Sequence, residues 1–456
     1  MLQDAQFLYT NLKTDHEVER WCWRPDSNRR TPMRKDLESF AFDQARQLQR
    51  TPLYNSIIEN IYGMSQSWCF RPHTVSIINN QNIARNMPGS KVYFTDMRCE
   101  IDDSLMNKLS RLITRAGIDG IDMEKRIVAI KTHFGEYGNL SFLRPNYAKV
   151  IADAVKSKGG IPFLTDTNTL YVGHRKNAIE HIETASMNGF GPLTTGCPVI
   201  IADGLKGTDD VEVEIDGEYV KKAKIARGIV DADVLVTLSH FKCHELAGFG
   251  GALKNLAMGC ASRAGKMDMH SAGKPELDSS SCRGCGKCVR NCGQDAITLT
   301  NKVAAIDYDK CVGCGRCIGA CPFDVIYSAY DQNIDILNAK MLEYAMAATK
   351  DKPCFHVVII TDVSPFCDCH AENDTPIIPN VGMLASFDPV ALDRACVDLV
   401  MKQPMIEGSL LHVNCGGRCP EDMFKAVQPN SKWQSIFEHA EKIGYGSTDY
   451  ELVKVK

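Results

Sequence analysis

Residues 282–292 read CRGCGKCVRNC, and residues 311–321 read CVGCGRCIGAC. In both stretches the four cysteines are separated by two, two and three residues, and 18 residues lie between the stretches. A spacing of two lets a tight loop aim successive thiolates at one iron–sulfur cube, and the fourth cysteine of such a run binds the other cube. The repeat therefore predicts a small α+β module of the bacterial ferredoxin type with two [4Fe-4S] clusters.

The same rule predicts which cysteines share a cluster. One cluster takes Cys282, Cys285, Cys288 and Cys321, and the other takes Cys311, Cys314, Cys317 and Cys292. Zinc is the alternative metal, but four cysteines within eleven residues, repeated once, exceed what one tetrahedral ion needs. One position departs from the usual pattern, because Gly293 and not proline follows Cys292. Two neighbouring clusters would form an electron relay, which predicts electron transfer with a redox partner protein.

The composition narrows the class of protein. The chain has 456 residues, of which 44% are apolar and 24% charged, with a formal net charge of −4. This balance favours neither nucleic acid nor a membrane as a partner. Because no apolar run approaches the ~18 residues of a spanning helix and the chain start does not resemble a secretory signal, we expect a cytoplasmic protein. The cytosol keeps thiols reduced, so metal binding explains the 20 cysteines better than disulfides.

The first 86 residues differ in composition from the rest. They contain one glycine, Gly63, of the 34 in the chain, and strand-and-turn patterning begins only at Met87. Residues 23–30, WRPDSNRR, resemble a mistranslated transfer-RNA gene. We expect residues 1–86 to be a spurious or disordered extension, with a genuine polar domain of helices as the alternative. The expected order is then an α/β domain in two parts, residues 87–275 and 331–456, with the cysteine-rich module at residues 276–330 inserted between them.

Four apolar runs of strand length predict the architecture around the module. They are residues 127–130, 161–164, 234–238 and 357–360. Helical stretches at residues 147–158 and 177–187 fall between them, which predicts an α/β fold, a mostly parallel sheet with covering helices. In open sheets of this kind, ligands bind outside the carboxyl ends of the strands.

Polar residues of the kinds that do chemistry follow these runs. His133 follows the first run, Asp166 the second, and His240 and His244 the third. We expect them to line one cleft as catalytic residues. The alternative is that each polar residue only marks where the chain returns to the surface. Two glycines then open a helix, and amides at a helix start can hold an anion, so Gly250, Gly251 and Lys254 form a predicted anion site.

A compact group of potential ligands follows the fourth run. Cys367, Cys369 and His370 lie within four residues, and cysteines two apart in an extended chain share one side. The group is a candidate for an additional metal ion of unknown identity or for a redox thiol pair. Two ordinary loop cysteines are the alternative.

From about Lys91 to its end, the chain resembles domain of unknown function family 362, in its subgroup of uncharacterised iron–sulfur centre proteins with a ferredoxin-type module. The resemblance rests on KTHFGE at residues 131–136, FLTDTNTLY at 163–171, HFK at 240–242, residues 248–255, the two cysteine motifs and CDCH at 367–370. Cys243 departs from it, since glycine is expected there. The resemblance implies iron–sulfur clusters and no particular reaction.

Three functions are compatible with these features. The first is a redox enzyme that passes electrons through the clusters to a small-molecule substrate or metal in the α/β cleft. The second is an electron carrier that docks partner proteins. The third is a binding protein that handles a metal or cofactor through residues 367–370. Polar residues at four strand ends favour the first over the second, because a docking surface does not require them.

Overall fold

The computed structural model describes residues 90–270, 273–329 and 333–456, and the predicted extension at residues 1–86 lies outside this part. The strands are β1 Ser90–Asp96, β2 Ile127–Thr132, β3 Ile161–Asp166, β4 Val199–Ile201, β5 Asp210–Glu214, β6 Lys222–Ala226, β7 Val234–His240, β8 Lys242–His244, β9 Gly248–Gly250, β10 Pro275–Leu277, β11 Ile297–Thr300, β12 Val303–Ile306, β13 Ile326–Ser328, β14 Cys354–Ile360, β15 Gly382–Ser386 and β16 Tyr450–Lys454.

Helices cover the sheet and join its strands. They are α1 Leu105–Ala116, α2 Pro145–Ser157, α3 Ala178–Met187, α4 Pro192–Thr195, α5 Arg227–Val230, α6 Ala252–Cys260, α7 Arg263–His270, α8 Lys287–Asn291, α9 Arg316–Ala320, α10 Ile334–Ala348, α11 Pro389–Val400, α12 Leu410–Asn414, α13 Met423–Val427 and α14 Gln434–Ile443. The two predicted helices correspond to α2 and α3, and their ends agree within one or two residues. In the described part of the chain, no helix is long and apolar enough to cross a bilayer.

Eight strands form one sheet in the order β16-β1-β15-β14-β7-β2-β3-β4. Only β15 runs antiparallel to its neighbours, β1 and β14. The predicted α/β class with a mostly parallel sheet is therefore confirmed. The four predicted strand runs became β14, β7, β2 and β3, which are adjacent and mutually parallel. Their carboxyl ends consequently meet at one edge of the sheet.

Burial explains why these strands read as continuous apolar runs. Every residue of β7 is buried, because helices cover both faces of the sheet. Successive side chains point to opposite faces. Accordingly Leu235 belongs to the hydrophobic core on one side, and Val234, Val236 and Leu238 belong to the core on the other.

The cysteine-rich segment forms a small α+β unit between α7 and α10. Strands β11 and β12 pair as a hairpin, and β10 pairs with β13 where the segment begins and ends. Its two halves repeat each other. Gly286 and Gly315 have left-handed φ angles of 70° and 66°, and a five-residue helix begins directly after each of them. The sequence repeat is therefore also a repeat of backbone conformation.

Candidate functional site

A cavity of about 360 Å³ opens at the carboxyl ends of β2, β3, β7 and β14. It brings together nine of the ten site residues that were predicted outside the cysteine motifs, which are His133, Asp166, His240, His244, Gly251, Lys254, Cys367, Cys369 and His370. Gly250 stands behind the wall, since a Cβ added there would lie 3.3 Å from Lys242 Cε. The parallel arrangement of the four strands is the reason that these distant parts of the sequence converge.

Asp166 is the hub of a buried charge network. Its Oδ1 lies 2.9 Å from Lys131 Nζ, and its Oδ2 lies 3.4 Å from Arg175 Nη1 and 3.6 Å from His181 Nε2. Burial by itself would raise the pKa of Asp166, but Lys131 and His181 outweigh burial and hold it well below the usual range. Asp166 therefore stays a carboxylate that positions cations, and its geometry does not suit a general base.

His240 is held at both ring nitrogens. Nδ1 lies 2.8 Å from Asp368 Oδ2 and Nε2 lies 2.6 Å from the carbonyl oxygen of Thr361. Because a carbonyl accepts only, Nε2 carries a proton. Lys242 Nζ lies 3.3 Å from the same Asp368 oxygen. The His240 ring is thus committed to fixing Asp368, which leaves neither ring nitrogen free for the catalytic role predicted for His240.

His133 and His244 are oriented by backbone amides. His133 Nδ1 accepts from the amide of Gly135 at 3.0 Å, and His244 Nδ1 accepts from the amides of Leu246 and Ala247 at 3.2 and 3.1 Å. Burial is the main reason that the pKa of each ring lies well below its ordinary value. Both rings are therefore neutral, with the proton on Nε2, and the Nε2 of His244 lies 3.7 Å from Glu245 Oε2.

The start of α6 does not present free amides. The amides of Ala252 and Leu253 donate to the two oxygens of Asp393 at 2.7 and 2.8 Å. A side chain at Gly251 would overlap Asp393 Oδ1. The prediction that Gly250 and Gly251 open an anion site is therefore corrected, because the protein's own carboxylate occupies the helix start and glycine admits it.

The cavity wall is rich in buried cations. Lys131, Arg175 and Lys242 are each paired with carboxylates. Lys254 and Lys266 form no ion pair with a carboxylate within the described ranges. Lys266 Nζ donates to Thr167 Oγ1 at 2.5 Å, and burial lowers its pKa to about 8. Burial by itself would also lower the pKa of Lys254, but the neighbouring Cys367 and Cys369 outweigh burial and raise it.

Residues 367–370 form a turn, in which the His370 amide donates to the Cys367 carbonyl at 3.0 Å. The His370 ring turns away to Glu245, with Nε2 3.3 Å from Oε1, and is about half exposed. Over residues 90–270, 273–329 and 333–456, no three His, Cys, Asp or Glu side chains stand close enough to share one ion. The additional metal ion on Cys367, Cys369 and His370 therefore stays a prediction, and the ring of His370 is engaged by Glu245.

The cysteine motifs have features that fit iron–sulfur clusters. A small cavity is lined by Cys282, Cys285, Cys288 and Cys321, the four that the spacing assigns to one cluster. The Ala304 amide donates to Cys282 Sγ at 3.4 Å, and the Ala296 amide donates to Cys292 Sγ at 3.3 Å. A four-iron cube is larger than a single ion, so its ligands stand farther apart than ligands of one ion.

Helix α7 separates the cavity from the cysteine-rich unit. Lys266 and His270 line the cavity, whereas Met267 packs in a hydrophobic cluster with Cys317. Leu170 contributes to the cavity wall and also to this hydrophobic cluster. One layer of side chains therefore stands between the cavity and the second cysteine motif.

Arg263, on the first turn of α7, connects this helix to the neighbouring loops. Its buried guanidinium donates to the carbonyl oxygens of Thr169, Lys176 and Lys206. A side chain at Gly319, between Cys317 and Cys321, would overlap Arg263 Nη1. The positive charge therefore lies directly against the second cysteine motif.

The fold and the cavity define an α/β protein with a polar site at the carboxyl ends of a mostly parallel sheet and a cysteine-rich unit against that site. The chain belongs to domain of unknown function family 362 (DUF362), whose model matches residues 128–398. A comparison with curated proteins finds no match.

Two solved structures are similar in part. The lactate racemase apoprotein from Thermoanaerobacterium thermosaccharolyticum shares 13% identity over 60% of this chain and 51% of that chain, with a TM-score of 0.31. A protein from Thermotoga maritima shares 12% identity over 64% of this chain and 57% of that chain, with a TM-score of 0.34. The chain thus spans little more than half the length of these proteins.

Sequence reasoning missed Arg175 and Glu245 as parts of the site. Arg175 Nε lies 3.1 Å from Glu136 Oε2, and the Arg175 side chain is fully buried. Both residues lie in loops just outside the quoted motifs, so mainly their neighbours in the fold assign them a role. The position of Glu245, one residue after His244, is the one local hint.

Proposed function

We propose that the chain is an iron–sulfur oxidoreductase. The two sets of four cysteines hold [4Fe-4S] clusters, and electrons pass between them and a small molecule in the cavity. A [4Fe-4S] cluster, when bound, takes up or releases one electron at a time. The observation that carries the proposal is α7, which contributes Lys266 and His270 to the cavity and Met267 to the packing around Cys317.

The cavity residues have distinct parts in this proposal. His133 and His244 donate hydrogen bonds from Nε2 to the ligand, and Lys254 and Lys266 attract a negatively charged group on it. Leu170 and Met267 exclude water from the space between the ligand and the second cysteine motif. A small anionic organic molecule fits this combination, because Lys254 and Lys266 form no ion pair with a carboxylate among the described residues and a bound anion would stabilise their buried charges.

A plain electron carrier is the competing function. Such a protein needs an exposed docking surface and has no need of an interior cavity of about 360 Å³ lined by buried histidines and lysines. The cavity therefore favours an enzyme. Electrons still require an entry point, and we propose that a redox partner protein docks where Cys285 and Phe323, which line the same small cavity, are exposed on the cysteine-rich unit.

Metal analysis of the full chain tests the cofactors. After anaerobic purification, we expect about eight irons and eight acid-labile sulfides per chain, with an electron paramagnetic resonance signal after reduction. About four irons would contradict the assignment of two clusters. Stoichiometric zinc in place of iron would contradict the electron-transfer function altogether.

His133→Ala tests the cavity. This variant should keep the spectrum of the reduced clusters and slow their reoxidation by small anionic oxidants, such as 2-oxo acids, by about a hundredfold or more. The matched control is His174→Ala, because His174 is exposed and lies outside the cavity wall. If wild-type clusters are reoxidised at the same rate with and without every tested acid, the carrier function is preferred.

A further inference from the structure

We propose that Cys367 and Cys369 are a redox-active dithiol that exchanges two electrons with the clusters and with the bound ligand. The thiol pair is defined by the described residues alone, whereas the electron route rests on the proposed function. Both cysteines line the cavity, and neither belongs to the predicted cluster ligands.

The residue between the two cysteines fixes their direction. Asp368 is fully buried, and its carboxylate is held by His240 at 2.8 Å and by Lys242 at 3.3 Å. Its carbonyl oxygen accepts from the Glu136 amide at 3.0 Å. Because the middle residue of the turn is anchored away from the cavity by side chain and backbone, the flanking thiols both face the cavity.

The charges around the pair favour a thiolate over a metal site. Lys254 Nζ lies 3.5 Å from Cys367 Sγ, and a buried ammonium there repels a cation and stabilises a negative sulfur. The hydrogen bond from Cys367, followed by Lys254, lowers the pKa of Cys369. His370, the third predicted ligand, is instead paired with Glu245, with Nε2 3.3 Å from Oε1. The pair therefore has the surroundings of a reactive dithiol.

The proposed step balances in atoms and charge. The Cys367 S–H bond breaks, a sulfur–sulfur bond forms between Cys367 and Cys369, and one proton leaves to solvent. The thiol and the thiolate together release two electrons, of which one goes to each [4Fe-4S] cluster. In the reverse direction, two single electrons are combined into a dithiol, which can then reduce the ligand by an electron pair.

Thiol trapping on the full chain tests the pair. The protein is equilibrated anaerobically in glutathione buffers of graded potential, alkylated and digested with trypsin. Residues 351–394 then form one peptide that carries Cys354, Cys367 and Cys369. As the potential rises, we expect Cys367 and Cys369 to escape alkylation together. The peptide with the disulfide should be lighter by two hydrogens than the same peptide with two unmodified thiols. The buried Cys354 on the same peptide is the internal control.

Two results would overturn the dithiol. One is full alkylation of Cys367 and Cys369 at every potential. The other is a stoichiometric metal ion that Cys369→Ser removes while the eight cluster irons remain.

The electron route is tested separately. Clusters are photoreduced in protein that carries the disulfide, and their absorbance is followed. In wild type we expect reoxidation of the clusters to coincide with the appearance of two alkylatable thiols, and in Cys369→Ser we expect the clusters to stay reduced. Cys396→Ser is the control, because Cys396 is buried away from the cavity wall. Clusters that stay reduced in wild type while the disulfide persists would overturn the route, although their signal would still support the proposed cofactors.

Discussion

The Lys131 ammonium lies 2.9 Å from the Asp166 carboxylate, and both side chains are almost fully buried at the ends of neighbouring strands. The same carboxylate also holds Arg175, and all three side chains line the cavity. A buried charge is stable only while its partner is present. The site is therefore built on ion pairs that cannot be removed one member at a time without cost.

Asp166→Asn should destabilise the protein by about 3–5 kcal/mol, because Lys131 and Arg175 would remain buried without their shared counter-charge. Urea unfolding of wild type and variant measures the difference. Asp153→Asn is the matched control, since Asp153 and Lys149 form an exposed pair on α2, and we expect a change below about 0.5 kcal/mol. Equal effects of the two variants would show that the buried network does not stabilise the fold.

Gly251→Ala should destabilise the protein by about 1–3 kcal/mol. The added Cβ would overlap Asp393 Oδ1 and displace the carboxylate from the amides of Ala252 and Leu253. Thermal unfolding compares it with Gly120→Ala, because a Cβ at Gly120 meets nothing within 4 Å. A Gly251→Ala variant as stable as Gly120→Ala would mean that Asp393 can move without loss.

Asp393 should give the stability of the protein a specific pH dependence. Burial raises the pKa of Asp393 to about 7 in the folded state, against an ordinary value of 3.8. Between these values the folded state binds more protons than the unfolded state, so the free energy of unfolding falls as pH rises from about 4 to 7. The contribution to the slope is at most about 1.4 kcal/mol per pH unit.

Asp393→Asn removes this titration and should flatten the dependence over that interval. Urea unfolding of wild type and variant at several pH values measures the two slopes. Burial also raises the pKa of Asp203, to about 6, but Asp203 titrates in both proteins. The difference between the slopes of wild type and variant therefore reports on Asp393 alone. Parallel slopes would contradict a raised pKa at Asp393.

Arg263→Met should make the reduction potential of the proposed cluster at Cys317 more negative. The buried guanidinium lies against the second cysteine motif, and its removal disfavours the extra negative charge of the reduced cluster. Arg316→Met is the control, because Arg316 precedes Cys317 but is exposed, so solvent screens its charge. A redox titration followed by electron paramagnetic resonance measures both. Equal shifts would remove any special role for Arg263.

Much of the architecture could be predicted from local patterns. The four apolar runs became four adjacent strands, and the two cysteine motifs became two matching turns and helices, because backbone periodicity and left-handed glycines are properties of short segments. Convergence of the strand ends followed from the parallel arrangement. The same reasoning failed at Gly250 and Gly251. The glycines predicted an anion at the helix start, but they did not indicate that this anion is the protein's own Asp393 carboxylate.

The partner of each buried charge lay beyond the reach of the sequence. Asp393 reaches the start of α6 from 141 residues away, and Asp368 reaches His240 from 128 residues away. Such pairs are selected by the packing of whole elements, since a buried charge takes the nearest opposite charge or donor that the fold supplies. The sequence by itself determined the parallel sheet, the position of the cavity edge and the paired cysteine motifs. Only the tertiary structure decided that His240 and Asp166 serve as anchors and that two thiols, four lysines and the neutral rings of His133 and His244 face the cavity.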